Sequence, residues 1–212
     1  MSVINGSLFD GIVQFHDPES QAKTAVIVID EKDCPCISET FSNCVARQKS
    51  QQCVLRFCKG LGCQIIVVHE CIERRAKHIY NIIGEPDFSC TKEDDGVLSS
   101  STKPPLMKHL VLNNITSLVI MGSYSSFCVR ETLIGGYDEE RVYPGLLDKQ
   151  ITVLSSPSLI GPYLPEAYAL KPKFSSPATS YEFFKPLFKG KLTWPVFTLH
   201  PGMRFYTKVT RV

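Results

Sequence analysis

The sequence predicts an α/β protein of three layers, a mostly parallel central sheet flanked by helices, with an irregular extension after it. Three observations carry this. The runs Ala25–Ile29 and Ile65–Val68 are continuous and rich in β-branched residues, as expected of strands buried on both faces of a parallel sheet. Segments of helical character lie between the apolar runs, the arrangement of βαβ units. At Ser117 to Gly136 an apolar run, a turn of small residues and a helical pattern follow one another. That succession delivers a side chain to the carboxyl end of a sheet.

Residues 1–22 have weak periodicity and turn signals at Asn5-Gly6 and Asp17-Pro18, and are expected to pack outside the core as a short strand or helix. The first strand, Thr24 to Ile29, ends in Asp30, and Cys34-Pro35-Cys36 marks a loop. Ser42 to Lys59 reads as a helix stopped by Gly60-Leu61-Gly62, and Cys63 to His69 as the second strand. Glu70 to Tyr80 is charged, with Arg74, Arg75 and Lys77 forming a solvated face, and Asn81 to Phe88 is loop-like. A short strand, Ser89 to Lys92, precedes the turn Glu93-Asp94-Asp95-Gly96, and Leu106 to Leu112 is a short helix. The strand Leu118–Met121 ends at Gly122, and the helix after it is expected to continue through Tyr137 to Val142 despite Gly135-Gly136. Gln150 to Leu154 is the next strand. From Ser155 prolines and aromatics recur too densely for a disordered tail. There Tyr181–Phe188 reads as a helix, and Thr193–Leu199 and Arg204–Val209 read as strands. The chain divides into an N-terminal extension (1–22), one domain (23–160) and a C-terminal extension packed on it (161–212).

The 212 residues, 43% hydrophobic and 21% charged with a net charge of +2, fit one globular domain and give no sign of nucleic-acid or membrane binding. Residues 1–22 lack a basic-then-apolar signal peptide, so the expected location is cytoplasmic. Nine cysteines at irregular spacing argue for reduced thiols rather than a disulfide framework. Cys34-Pro35-Cys36 has no second pair at zinc-ligand spacing. Neither a metal nor a cofactor is expected.

Cys128 stands in the first turn of a helix, where unpaired N–H groups and the helix dipole favour the nucleophilic thiolate. Asp30 follows a central strand, a position that serves ligands and catalysis or, more plainly, a helix cap. Lys92 is either a solvated neighbour of the acids after it or, near Asp30, a partner for that carboxylate.

In that order Asp30, Lys92 and Cys128 resemble the isochorismatase-like cysteine hydrolases, the group that includes nicotinamidases and N-carbamoylsarcosine amidohydrolase. The strand AVIVID resembles that family's opening strand, and IMGSYSSFCVRETLIGG resembles its nucleophile segment. The resemblance covers roughly residues 23–160. It implies a Rossmann-like fold and hydrolysis of a C–N bond in a small amide, imide or ureido substrate through an acyl-enzyme. Cys128 would be the nucleophile, Asp30 the general base and acid, and Lys92 the group that orients Asp30. A cis peptide would fall between Ser123 and Tyr124, aiming the Tyr124 and Cys128 N–H groups at the oxyanion. Lys32, Tyr124 and Phe127 would contact the substrate, and the protein would be a homo-oligomer.

The chain departs from the family at Glu31-Lys32-Asp33-Cys34-Pro35-Cys36, and between Asp30 and Lys92 only His69 and His78 are available where nicotinamidases carry metal ligands. The C-terminal extension has no family counterpart. The competing reading is therefore a catalytically silent hydrolase fold that binds a protein partner through that extension. A dinucleotide-binding domain is disfavoured, because no glycine-rich turn follows the first strand.

Overall fold

In the computed structural model the described residues are 8–19, 23–36, 39–70, 75–123, 127–138, 141–149, 151–161 and 203–205. In chain order they form α1 (Leu8–Phe15), β1 (Lys23–Ile29), α2 (Phe41–Gly60), β2 (Gln64–His69), α3 (Lys77–Ile83), β3 (Phe88–Thr91), α4 (Leu106–Leu112) and β4 (Ile115–Ser123). After these come α5 (Cys128–Ile134), β5 (Gly135–Asp138), β6 (Arg141–Pro144), β7 (Thr152–Ser155), β8 (Ile160–Gly161) and β9 (Met203–Phe205). The main sheet has the order β3-β2-β1-β4-β7-β9, with β8 pairing beside β4, and all its described pairings are parallel. Helices flank it, so the fold is the three-layer α/β arrangement expected.

The β-branched run of β1 accounts for its place at the centre: every residue from Thr24 to Ile29 is buried. Ile29 is level with Val68 of β2 and Gly122 of β4. Asp30, Lys92 and the chain beyond Ser123 therefore all leave the sheet at its carboxyl edge. Helix α2 starts where the Thr40 hydroxyl accepts the Asn43 N–H at 3.3 Å. It buries Val54, Leu55 and Cys58 against the core.

The strand β4 runs two residues beyond the expected end at Met121. Gly122 lies inside it with φ +128°, and a β-carbon there would fall on the Ile29 carbonyl. Glycine is required because the two central backbones come together at that point. The helix expected to reach Val142 stops at Ile134. Gly135 takes φ +83°, a conformation that side-chain-bearing residues rarely adopt, and the chain turns into the antiparallel hairpin β5–β6. The loop expected at Asn81 begins later, because α3 continues to Ile83.

Helix α1 is not peripheral. Leu8, Phe9 and Ile12 are almost fully buried, and the Phe9 ring meets Phe57 of α2 edge-on at 4.6 Å. Burial of such side chains is worth ~1.5–3 kcal/mol each, enough to anchor a two-turn helix. In the C-terminal extension, Met203–Phe205 pairs with β7. The helix expected at Tyr181–Phe188 and the strand at Thr193–Leu199 lie outside the described residues. Among the described residues no helix is long and apolar enough to cross a membrane, and eight cysteines are free thiols.

Candidate active site

Asp30 leaves β1 with φ +45°, a left-handed conformation uncommon for a non-glycine residue. Strain of this kind is kept where the surroundings impose it and points to a functional role. The backbone is held by the Asp30 N–H, which donates to the Val68 carbonyl at 3.0 Å. Glu31 is fixed next to it. The Arg47 guanidinium donates to the Glu31 carboxylate and clamps Glu39 with two hydrogen bonds of 2.9 Å, and the Gln51 amide donates to Glu31 at 2.7 Å. Glu31 and Arg47 are both buried. The acidic sequence after Asp30 is thus a packed ionic network between β1 and α2.

The Asp30 carboxylate is buried and meets the Lys92 ammonium, Oδ2 to Nζ, at 2.7 Å. Its Oδ1 has no hydrogen-bond partner among the described residues. Lys92 is also buried and donates to the Asp94 carbonyl at 2.9 Å. Its position follows from β3: the Lys92 N–H donates to the His69 carbonyl at 3.0 Å, continuing the ladder by one residue. Reciprocal 2.8 Å bonds between Thr91 and Lys103 close the loop behind it. Burial alone would lower the Lys92 pKa, but the Asp30 carboxylate beside it outweighs burial and holds it above its ordinary value.

Cys128 opens α5 and is 8% exposed. Its thiol donates to Asp95 Oδ1 at 3.5 Å. Burial first, and then the Asp30 charge, push the thiol well above its ordinary range, while Lys92 acts in the opposite direction. The thiolate-favouring start of α5 therefore does not prevail, and burial together with the Asp30 charge favours the neutral thiol of Cys128.

The other expected site residues fall as follows. Ser123 is buried, and its hydroxyl shares a 3.3 Å hydrogen bond with the Cys36 thiol. Tyr124 lies outside the described residues, and with it the Ser123–Tyr124 peptide bond and the Tyr124 half of the oxyanion site. Phe127 is half-buried against the core at the start of α5. Lys32 is half-buried with its ammonium 4.0 Å from the Glu70 carboxylate. A cavity of ≈ 210 Å³ opens at the ends of β2 and β3, lined by His69, Tyr80, Thr91 and Lys103 among others. His69 Nε2 and the Tyr80 hydroxyl share a 2.9 Å hydrogen bond there. Burial lowers the His69 pKa, and the charge of Asp30 opposes it. Among the described residues no group of three or more His, Cys, Asp or Glu side chains is placed to hold a metal ion.

Three residues of the surroundings of Cys128 had no signal in the sequence. Asp95 reads as a turn acid, Glu131 as one residue of a helix, and Tyr143 as the residue just past a helical continuation to Val142 that does not form. In the structure the Tyr143 hydroxyl donates to the buried Glu131 carboxylate and accepts the Gly96 N–H at 3.1 Å. The hairpin β5–β6 thereby ties α5 to the loop that carries Lys92 and Asp95.

Burial raises the Glu131 pKa from 4.5 to about 7, although the Tyr143 hydroxyl lowers it. The folded state thus holds this proton more tightly than the unfolded one. The stability gained is complete below the unfolded value and is lost as pH rises through the folded one. The stability of wild type relative to Glu131→Gln is expected to fall between about pH 4.5 and pH 7, by a free energy on the order of 3 kcal/mol. Thermal unfolding across that range measures it, and a pH-independent difference would contradict the account.

No protein-family profile and no curated protein sequence matches the chain. Solved structures do. The nicotinamidase of Staphylococcus aureus is 14% identical with a TM-score of 0.54, over 88% of this chain and 98% of that one. The N-carbamoylsarcosine amidase of Thermoplasma acidophilum is 11% identical with a TM-score of 0.51, over 87% and 96%. An isochorismatase-like hydrolase from Alkaliphilus metalliredigens is 13% identical with a TM-score of 0.50, over 88% and 95%. At these identities the likeness establishes the fold: the chain has the α/β architecture of the isochorismatase-like hydrolases.

Proposed function

We propose that this protein is a cysteine hydrolase that cleaves a C–N bond in a small amide, imide or ureido compound through an acyl-enzyme on Cys128. The observation that carries the reading is a buried Asp30–Lys92 ion pair, 2.7 Å long, coupled to the buried thiol of Cys128. Nothing in the packing of the sheet requires three such groups at one edge.

The protonation states define the steps. As the sulfur attacks the carbonyl carbon, its proton passes to Asp30, whose Oδ1 is unengaged. An S–C bond forms and the carbonyl π electrons move to oxygen. The Cys128 N–H, with that of Tyr124, would receive the oxyanion, each such donor being worth ~3 kcal/mol of barrier. Collapse breaks the C–N bond, and Asp30 returns the proton to the departing nitrogen. A water then loses a proton to Asp30 and attacks the thioester, and the sulfur leaves and takes that proton back. Lys92 holds Asp30 in one orientation throughout and offsets its charge. No residue in this cycle calls on a metal.

The test is release of ammonia or amine from a panel of small amides, cyclic imides and ureides, comparing wild type with Cys128→Ala. Turnover lost in the variant supports the reading, and turnover retained in it contradicts the reading.

A further inference from the structure

We propose that Asp95 determines the charge of the substrate, making the Cys128 site one for an amide that carries a positive charge close to the scissile carbonyl. This rests on the hydrolase reading above and deepens it.

Asp95 is placed against the nucleophile itself, with its Oδ1 3.5 Å from the Cys128 sulfur. A group bound next to the attacked carbonyl therefore meets this carboxylate. Among the described residues Asp95 forms no ion pair, and the nearby cations are engaged elsewhere. Lys92 is 2.7 Å from Asp30, and Arg130 is 3.5 Å from Glu131. Lys92 and Arg130 both feel the Asp95 charge, but each is in an ion pair with another carboxylate, and Asp95 is the carboxylate in direct contact with the sulfur. The carboxylate is half-buried, in contrast to the exposed Glu93 of the same turn.

The loop holds Asp95 in place on both sides. Before it, the Ser101 hydroxyl accepts the Glu93 and Asp94 N–H groups at 3.1 and 3.3 Å, and Lys92 Nζ donates to the Asp94 carbonyl at 2.9 Å. After it, the Gly96 N–H donates to Tyr143. An acid fixed in this way, partly withdrawn from water and outside any ion pair among the described residues, attracts a cationic group and repels a carboxylate.

The test uses two activated acyl probes, glycine p-nitrophenyl ester, which is cationic, and succinic acid mono-p-nitrophenyl ester, which is anionic. The readout is the rate of acylation at Cys128, located by peptide mass and corrected with Cys128→Ala. The ratio of the cationic to the anionic rate is expected to fall by about tenfold in Asp95→Asn relative to wild type, and to be retained in Asp95→Glu. In wild type, without any substitution, raising salt from about 0.05 M to 1 M is expected to lower the ratio in the same direction. A ratio that moves with neither Asp95→Asn nor salt, while Cys128 is still acylated, overturns the role of Asp95 and leaves the hydrolase reading standing. If neither probe acylates Cys128 in wild type, the hydrolase reading fails and the role of Asp95 fails with it.

Discussion

Asp30→Asn is expected to lower kcat/KM for the amide substrate by about 10²–10⁴-fold, the usual contribution of a general acid–base group. Cys128→Ala is expected to lower it by at least ~10⁴-fold. Because the two act as one unit, the double variant should be no slower than Cys128→Ala alone. The reason lies in the resting state. Burial and the charge of Asp30 keep the Cys128 thiol protonated, so attack depends on a base that accepts the proton as the S–C bond forms. Asparagine cannot accept it. The same substitution removes the negative charge that disfavours the thiolate and leaves Lys92 unpaired beside the sulfur. Alkylation of Cys128 by iodoacetamide at neutral pH should therefore become faster in Asp30→Asn while turnover collapses. Steady-state kinetics and mass measurement of the Cys128 peptide report the two effects separately. Turnover that survives in Asp30→Asn would contradict the role given to this carboxylate.

Lys92→Met has the largest expected effect on stability. It removes the partner of a carboxylate that is 5% exposed. A buried ion pair adds little net stability over an apolar pair of similar volume, but deleting one partner leaves an uncompensated charge and costs ~3–5 kcal/mol. For a domain of this size that lowers the melting temperature by about 10 °C. Adding Asp30→Asn to Lys92→Met should restore part of the loss, because the charge is then gone. Neither variant should turn over substrate. Melting by circular dichroism or calorimetry decides it. A Lys92→Met protein as stable as wild type would mean that Lys92 does not compensate Asp30.

The architecture was legible where periodicity has one cause. The β-branched run before Asp30 and the apolar run before Gly122 could be little but central strands, and they fix the edge at which Asp30 and the Cys128 turn emerge. Lys92 was readable in order along the chain, although its pairing with Asp30 depends on the β3–β2 ladder, which the short run Ser89–Lys92 only suggests. The failures also have physical causes. A helical pattern cannot reveal its own end when the stop comes from a left-handed Gly135 and a hairpin behind it. The burial of Leu8, Phe9 and Ile12 is decided by the surface of α2 and the sheet rather than by residues 8–15. Asp95, Glu131 and Tyr143 belong to one hydrogen-bonded connection between loop, helix and hairpin. Each is unremarkable in its own segment, and only the tertiary fold sets Asp95 against Cys128 and joins Tyr143 to Glu131 and Gly96. The same holds for Glu31, whose departure from the family pattern becomes intelligible once Arg47 and Gln51 are seen to receive it.

The central claim is that Cys128 carries the acyl group. Once the amide panel has yielded a substrate, the protein is mixed with it in excess, quenched in acid within the first turnovers and digested, and the peptide containing Cys128 is weighed. That peptide is expected to gain the mass of the acyl group, to lose it on longer incubation without substrate, and to show no gain in Cys128→Ala. Turnover with no adduct on Cys128, and with Cys128→Ala still active, would contradict it.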